Sequence, residues 1–235
     1  AYFDDKGFGS VEEDQGLAEL SYYPSASHGI SLTGKIRSFS NDTDLMAYRA
    51  FTETSLTQKI SGAASFEKDS IDTARGILAR IEYYRSRAYI NSQLTKAVSA
   101  SFRYSHDQYD DHNRRDDASI LLLRRFRKEN PEFFGGCAYR WGDSKFDAPE
   151  YYTPQELSSV EAHFKMVSKI ANLDFVQYNA IGYGTETGTS GLTYSSTSTF
   201  SYKVTAGLEI FSEIDFSGTP SYRSTEFTAG LEYRF

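Results

Sequence analysis

The stretch Glu226-Phe227-Thr228-Ala229-Gly230-Leu231-Glu232-Tyr233-Arg234-Phe235 decides the fold. Phe227, Ala229, Leu231, Tyr233 and Phe235 fall on one side of an extended chain. Glu226, Thr228, Gly230, Glu232 and Arg234 fall on the other, because successive side chains of a strand point to opposite faces. A strand in a soluble protein would lay the first set on a core. A membrane barrel turns that set to lipid and the second to its lumen.

The same two-residue period recurs upstream. Phe200, Tyr202, Val204, Ala206, Leu208 and Ile210 alternate with Ser201, Lys203, Thr205, Gly207 and Glu209. Val160, Ala162, Phe164 and Met166 alternate with Glu161, His163 and Lys165, and Ile30, Leu32 and Ile36 with Ser31, Thr33, Lys35 and Arg37. Val98, Ala100, Phe102 and Tyr104 alternate with Ser99, Ser101, Arg103 and Ser105. The pattern Ile77, Ala79, Ile81, Tyr83 sets Arg80, Glu82 and Tyr84 on the polar side. Short connections such as Thr57–Lys59, Lys128–Pro131 and Phe211–Glu213 take turns with long polar ones. The long ones include Lys68–Ala74, His106–Asp117, Asp143–Gln155 and the Gly-containing, Ser/Thr-rich Thr185–Ser198, read as a flexible loop. Short turns on one side and long loops on the other are the habit of bacterial outer-membrane barrels. The pattern predicts an all-β, transmembrane, antiparallel up-and-down β-barrel spanning 1–235 as one domain. It has about fourteen strands, within 12–16, if Ala1–Phe8 supplies the end of one. Gly76–Leu94 is too long for one strand and predicts an overhang or a turn near Ser86-Arg87. The last strand leaves a long loop, so the C-terminus is expected in the periplasm.

Composition agrees. Of 235 residues, 39% are hydrophobic and 15% aromatic, the aromatics being 18 Tyr, 17 Phe and one Trp. Tyr and Phe are strand formers, and Tyr suits an interface with one wet side. The mean hydropathy of −0.52 is ordinary for a barrel whose alternate residues face water. No run of eighteen apolar residues is present, so no transmembrane helix is expected. The start Ala1-Tyr2-Phe3-Asp4-Asp5 is not a signal peptide, and the chain is read as mature or as the C-terminal part of a longer one. One cysteine, Cys137, allows no intrachain disulfide. A net charge of −7 without a basic run argues against nucleic acid.

Charged residues on the polar side are the candidate pore lining: Lys35, Arg37, Arg49, Glu53, Glu67, Arg80, Glu82, Arg103, Arg140, Glu161, His163, Lys165, Lys203, Glu209, Glu226, Glu232 and Arg234. An Arg or Lys turned to lipid at mid-depth would cost about 2–4 kcal/mol. The lining is either a salt-bridged interior that stiffens or plugs the barrel, or a polar track for a hydrophilic solute. His106-Asp107-Gln108-Tyr109-Asp110-Asp111-His112 has residues suited to water activation. Within a charged loop it reads as a solvated face. With no phosphate loop, Cys/His metal spacing or compact triad, the sequence predicts no catalysis, metal or cofactor.

Two segments resemble known families. The ending Leu231-Glu232-Tyr233-Arg234-Phe235 resembles the terminal-strand signal of outer-membrane proteins. That resemblance implies that Tyr233 and Phe235 are read by the barrel assembly machinery, with lipid and lipopolysaccharide as surroundings. Tyr151-Tyr152-Thr153-Pro154-Gln155 resembles a Tyr-Phe-Ser-Pro-like element in the C-terminal barrels of tetratricopeptide-linked exporters of cellulose and poly-N-acetylglucosamine. It implies export of a polysaccharide, with small oligosaccharide porins as the companion comparison. The alternative is a structural barrel that anchors periplasmic envelope-complex proteins.

Overall fold

The computed structural model describes residues 2–5, 9–25, 27–40, 43–71, 74–148, 151, 153–205, 207–219 and 223–233. Fourteen strands follow one another in a single sheet, each beside its sequence neighbour. They are β1 (Tyr2–Asp5), β2 (Gly9–Ser25), β3 (His28–Phe39), β4 (Thr43–Thr57), β5 (Ile60–Ser70), β6 (Glu82–Gln93), β7 (Val98–Tyr109), β8 (Arg114–Arg127), β9 (Glu132–Ser144), β10 (Leu157–Ile170), β11 (Leu173–Glu186), β12 (Thr189–Lys203), β13 (Leu208–Gly218) and β14 (Arg223–Tyr233). A short helix, α1 (Ala74–Leu78), precedes β6. Every register resolved is antiparallel, from Tyr2↔Glu12 at one end to Leu208↔Tyr233 at the other. This is the up-and-down transmembrane barrel architecture that the two-residue period predicts.

The chain forms two compact units. The first comprises Ala1–Ser92, Ser101–Ala118 and Gly142–Gln155, and the second Gln93–Ala100, Ser119–Trp141 and Glu156–Phe235. In the first, Leu20, Ile30, Leu32, Ile36, Met46, Tyr48 and Phe66 stand exposed. The pairs Leu20↔Leu32, Tyr22↔Ile30 and Ile36↔Met46 put them on one face. In the second, Val160, Ile181, Tyr183, Phe216, Phe227 and Leu231 do the same, the last two about 69% and 71% exposed. Large apolar side chains this open, on face after face, are stable only against hydrocarbon. In the second unit that face carries a polar patch. Gln177, Asn179, Ser196 and Ser198 lie among Phe175, Phe200, Ile181 and Tyr194 and bond mainly to each other, with Ser198 Oγ donating to Gln177 Oε1 at 2.6 Å.

Several expected boundaries move. Strands run through segments read as loops: β7 and β8 absorb most of His106–Asp117, leaving a turn at 110–113, and β11 and β12 absorb most of Thr185–Ser198. That hairpin closes in two residues, Thr187 and Gly188, with φ of 47° and 76°, the left-handed pair of a type I′ turn. Gly182, Gly184 and Gly191 therefore sit inside strands. The turn expected at Phe211–Glu213 falls earlier, between Lys203 and Leu208, so Phe200–Ile210 is two strand ends rather than one strand. In Gly76–Leu94 there is no turn at Ser86-Arg87, since β6 pairs there without a break, Phe66↔Ser86 and Ser65↔Arg87. The surplus length is α1, whose Ile77 is buried beside Phe39 with Leu45 packed on them.

Candidate functional site

The face opposite the apolar one carries the charge. In the first unit a cross-strand row Glu19–Thr33–Arg49–Glu67 is followed by Ser21–Ser31–Phe51–Ser65, and then Gly29–Glu53–Ala63 continues beside Tyr23. Lys35 and Arg37 continue the same face along β3. Both clamp Asp69, from 3.1 Å and 2.8 Å, and Arg37 also donates to Ser70 Oγ at 2.8 Å. Arg85, opposite Glu67 on β6, donates twice to Asp107 at 2.6 Å and reaches Glu67 at 3.4 Å. Arg87 lies 3.5 Å from Glu67. Two-pronged Arg–carboxylate bonds of this kind fix geometry as well as charge. Arg103 shares the odd-numbered side of β7 with Asp107 and rests its guanidinium 5.4 Å from the Tyr89 ring centroid.

Arg80 and Glu82 need correcting. Arg80 is not on a strand: it sits in the turn after α1 with φ 56° and is exposed. Glu82 opens β6 opposite Ser70 on the face of Phe66 and Tyr84, and pairs with Lys68 at 2.7 Å. Tyr83, expected on the apolar side, is instead buried on the polar one, opposite Asp69. The helix uncouples the phase of β6 from the Ile77–Ile81 pattern, so the even and odd positions exchange roles. Arg85 and Arg87 were missed for that reason, and Asp69 and Asp107 because Lys68–Ala74 and His106–Asp117 were read as loops where β5 and β7 still run. The visible signal was Arg85-Ser86-Arg87-Ala88-Tyr89-Ile90-Asn91, which alternates on its own terms.

Above this cluster lies the segment containing Tyr151, Thr153 and Pro154, all buried rather than solvated. The Tyr151 ring packs 4.4 Å from that of Tyr109. Its hydroxyl donates to Asp111 Oδ2 at 2.7 Å and accepts from Asn113 Nδ2 at 3.1 Å. Asn113 is fully buried, and its side-chain oxygen takes the backbone N–H groups of Arg114 and Phe146. Thr153 Oγ1 accepts from the Ala148 N–H at 2.8 Å. Burial, and the hydrogen bond that needs the phenol proton, push the Tyr151 pKa above its ordinary value. Tyr152 lies outside the described residues.

In the second unit Glu161 is buried on β10, within 3.3 Å of His163 Nε2 and 3.7 Å of Arg140, and accepts from Ser159 at 2.9 Å. His163 Nδ1 bonds to the Tyr178 hydroxyl, and Lys165 lies 5.9 Å from the Phe134 ring. Opposite Glu161 stands Gly182, where a Cβ would fall 2.2 Å from the Val160 carbonyl and 2.7 Å from Glu161 Cγ. Farther along, Lys203 faces Glu209, Glu209 faces Glu232, and Asp215 faces Glu226. Ser201 donates to Glu209, Thr199 to Glu213 at 3.0 Å and Ser224 to Glu226 at 3.3 Å. Among the described residues Glu209, Glu213, Asp215 and Glu226 make no ion pair within 4 Å. Glu213 was missed because a turn was expected at Phe211–Glu213, and Asp215 because that turn broke the alternation just before it. The side chains of Glu232 and Tyr233, and all of Arg234 and Phe235, lie outside the described residues.

No protein-family model matches this sequence, and neither does any curated protein. Solved structures do resemble it. A bacterial polysaccharide outer membrane secretin aligns with a TM-score of 0.76 at 12% identity, over 96% of this chain and 81% of that one. A KdgM porin in complex with disordered oligogalacturonate aligns at 0.49 and 9% identity over 95% and 99%. The translocator domain of autotransporter NalP from Neisseria meningitidis aligns at 0.47 and 11% over 96% and 88%. The first likeness is to the fold, and with the exposed apolar face it gives this chain the architecture of an outer-membrane β-barrel.

Proposed function

We propose that the chain is an outer-membrane channel for a hydrophilic solute, specifically a saccharide. The observation that carries this reading is a polar face running across β2–β5 in the first unit and another across β10–β14 in the second, each backed by a largely apolar one. Hydroxyls, amides and charges in alternation give a saccharide donors and acceptors at each step. The protein of similar fold is a polysaccharide outer membrane secretin, which supports a sugar over a peptide or ion. Export through a tetratricopeptide-linked assembly is the narrower form of the proposal, and it stands on the Tyr151–Gln155 resemblance.

In this reading Phe235 lies at the periplasmic side, where Tyr233 and Phe235 serve the assembly machinery, and the Tyr151 segment lies outside the cell beside lipopolysaccharide. Single-channel recording of the reconstituted barrel tests the channel, and flux of neutral oligosaccharides from loaded vesicles tests the solute. Zero conductance and zero flux would overturn both. The second reading, a structural barrel anchoring periplasmic proteins, is favoured by the paired charges around Asp69 and Asp107, which rigidify without leaving groups for a solute. Tags at Asp111 and at Lys128–Pro131 test orientation: the first is expected to be reached on intact cells and the second only after permeabilisation.

A further inference from the structure

On the polar face of β2–β4 the side chains leave a recess of about 240 Å³. Its floor is made of small residues: Gly29, Ser31 and Thr33 run along β3, with Ser21 beside them. Its walls are long ones, with Tyr23 and Glu19 on one side and Arg49, Phe51 and Glu53 on the other. The floor is specific to glycine at one point. A Cβ on Gly29 would stand 2.8 Å from the Tyr23 ring and 3.1 Å from a Glu53 oxygen, so only a bare backbone lets the ring and the carboxylate close over that end.

The wall groups are also free to act. Arg49 rests its guanidinium 5.3 Å from the Phe51 ring, and among the described residues neither Arg49 nor Glu53 has an ion-pair partner within 4 Å. Among the described residues Glu19 is occupied by the Ser21 and Thr33 hydroxyls. Elsewhere in the same unit Lys35, Arg37 and Arg85 are committed to carboxylates.

We propose that this recess is a binding subsite for one neutral pyranose unit. The choice of ligand class rests on the reading of the chain as a saccharide channel. A pyranose has two apolar C–H faces and a rim of hydroxyls. Tyr23 and Phe51 offer flat apolar surfaces for the faces. Glu53 and Glu19 accept from hydroxyls, and the Arg49 fork donates to a neighbouring pair of them. Two carboxylates against one guanidinium disfavour an anionic uronate. Few polar groups converging on a small concave site is the ordinary anatomy of ligand recognition.

Saturation-transfer NMR on the full barrel in a zwitterionic, sugar-free detergent tests this. Methyl β-glucopyranoside and N-acetylglucosamine are the neutral probes, and methyl galacturonoside is the anionic one. Transfer is expected to the ring C–H protons of the neutral probes and not to the uronate. It should fall about fivefold in Phe51→Ala, the loss of one aromatic contact, and vanish in Gly29→Val. Arg49→Gln, on an exposed side chain, provides a third variant should Gly29→Val not fold, as judged by heat-modifiable gel mobility. Undiminished transfer in folded Phe51→Ala and Arg49→Gln, or none to the wild-type protein, overturns the subsite. Conductance of the same samples separates the two claims. A conducting barrel that binds no pyranose loses the subsite alone. A barrel that binds through Phe51 but never conducts loses the channel alone.

Discussion

The cluster around Arg85 and the carboxylates of β13–β14 both place charge on the polar face, and they treat it in opposite ways. Around Arg85, acids and bases meet in pairs: Asp107 is about 2% exposed and held by both prongs of the guanidinium. On β13 and β14, Asp215 faces Glu226, acid against acid. Like charges directly opposite are destabilising, so that arrangement contributes nothing to holding the sheet together. Paired charge here is architecture, and unpaired charge is what remains for water, ions or solute.

The contrast breaks most sharply at Asp107. Replacing it by alanine leaves the Arg85 guanidinium without its main partner, and removing one member of a buried pair costs about 3–5 kcal/mol. Urea unfolding in lipid vesicles, followed by gel mobility, should show the midpoint falling steeply. A midpoint within error of wild type would mean the pair is ornamental.

Next comes Tyr151→Phe. The variant keeps the ring against Tyr109 but leaves Asp111 and Asn113 short of a partner, a loss of about 1–2 kcal/mol. It should show as faster proteolysis of the 145–155 segment. The same hydroxyl has a pH signature. Its folded pKa is raised, so its contribution is complete below the ordinary tyrosine range and is lost as pH climbs through the higher folded value. Ultraviolet titration should show the folded wild type about half a phenolate short of the unfolded chain at this residue near pH ~10, where an ordinary tyrosine is half ionised.

The opposite sign is expected on β13–β14. Asp215→Asn with Glu226→Gln removes a like-charge pair and should raise the unfolding midpoint by a few tenths to about 1 kcal/mol. In a conducting barrel it should also move the reversal potential toward anions. A fall in stability would show that these acids have partners after all. Smallest in energy is a placement test. Spin labels at Phe227 and Leu231 should report oxygen, and a label at Glu226 water-soluble nickel; the reverse would exchange the faces of β14.

Much of this was legible from the alternation alone, because a barrel strand repeats a single instruction. Lys35, Arg37, Arg49, Glu53 and Glu67 share a face because β3, β4 and β5 pair without interruption between them. The reading failed where another element intervened. The five residues of α1 shifted the phase, exchanging Glu82 and Tyr84 with Tyr83 and Arg85. It failed again where polar composition stood in for a loop. Ser- and Thr-rich sequence in Thr189–Lys203 is strand, since hydroxyl residues suit a half-wet sheet. The pairing of charges was not legible at all. Which acid meets Arg85 depends on register across β5, β6 and β7, and composition is silent about register.

Gly182 shows how narrow the allowed history of such a wall can be. One methyl group there would collide with the Val160 carbonyl and with both the side chain and the Cα of Glu161, so trimming Glu161 would not make room for it. A lineage that lost the glycine would have to loosen the seam between β10 and β11. Elsewhere on the strands, where Gly16 and Gly34 look onto open space, substitution is free.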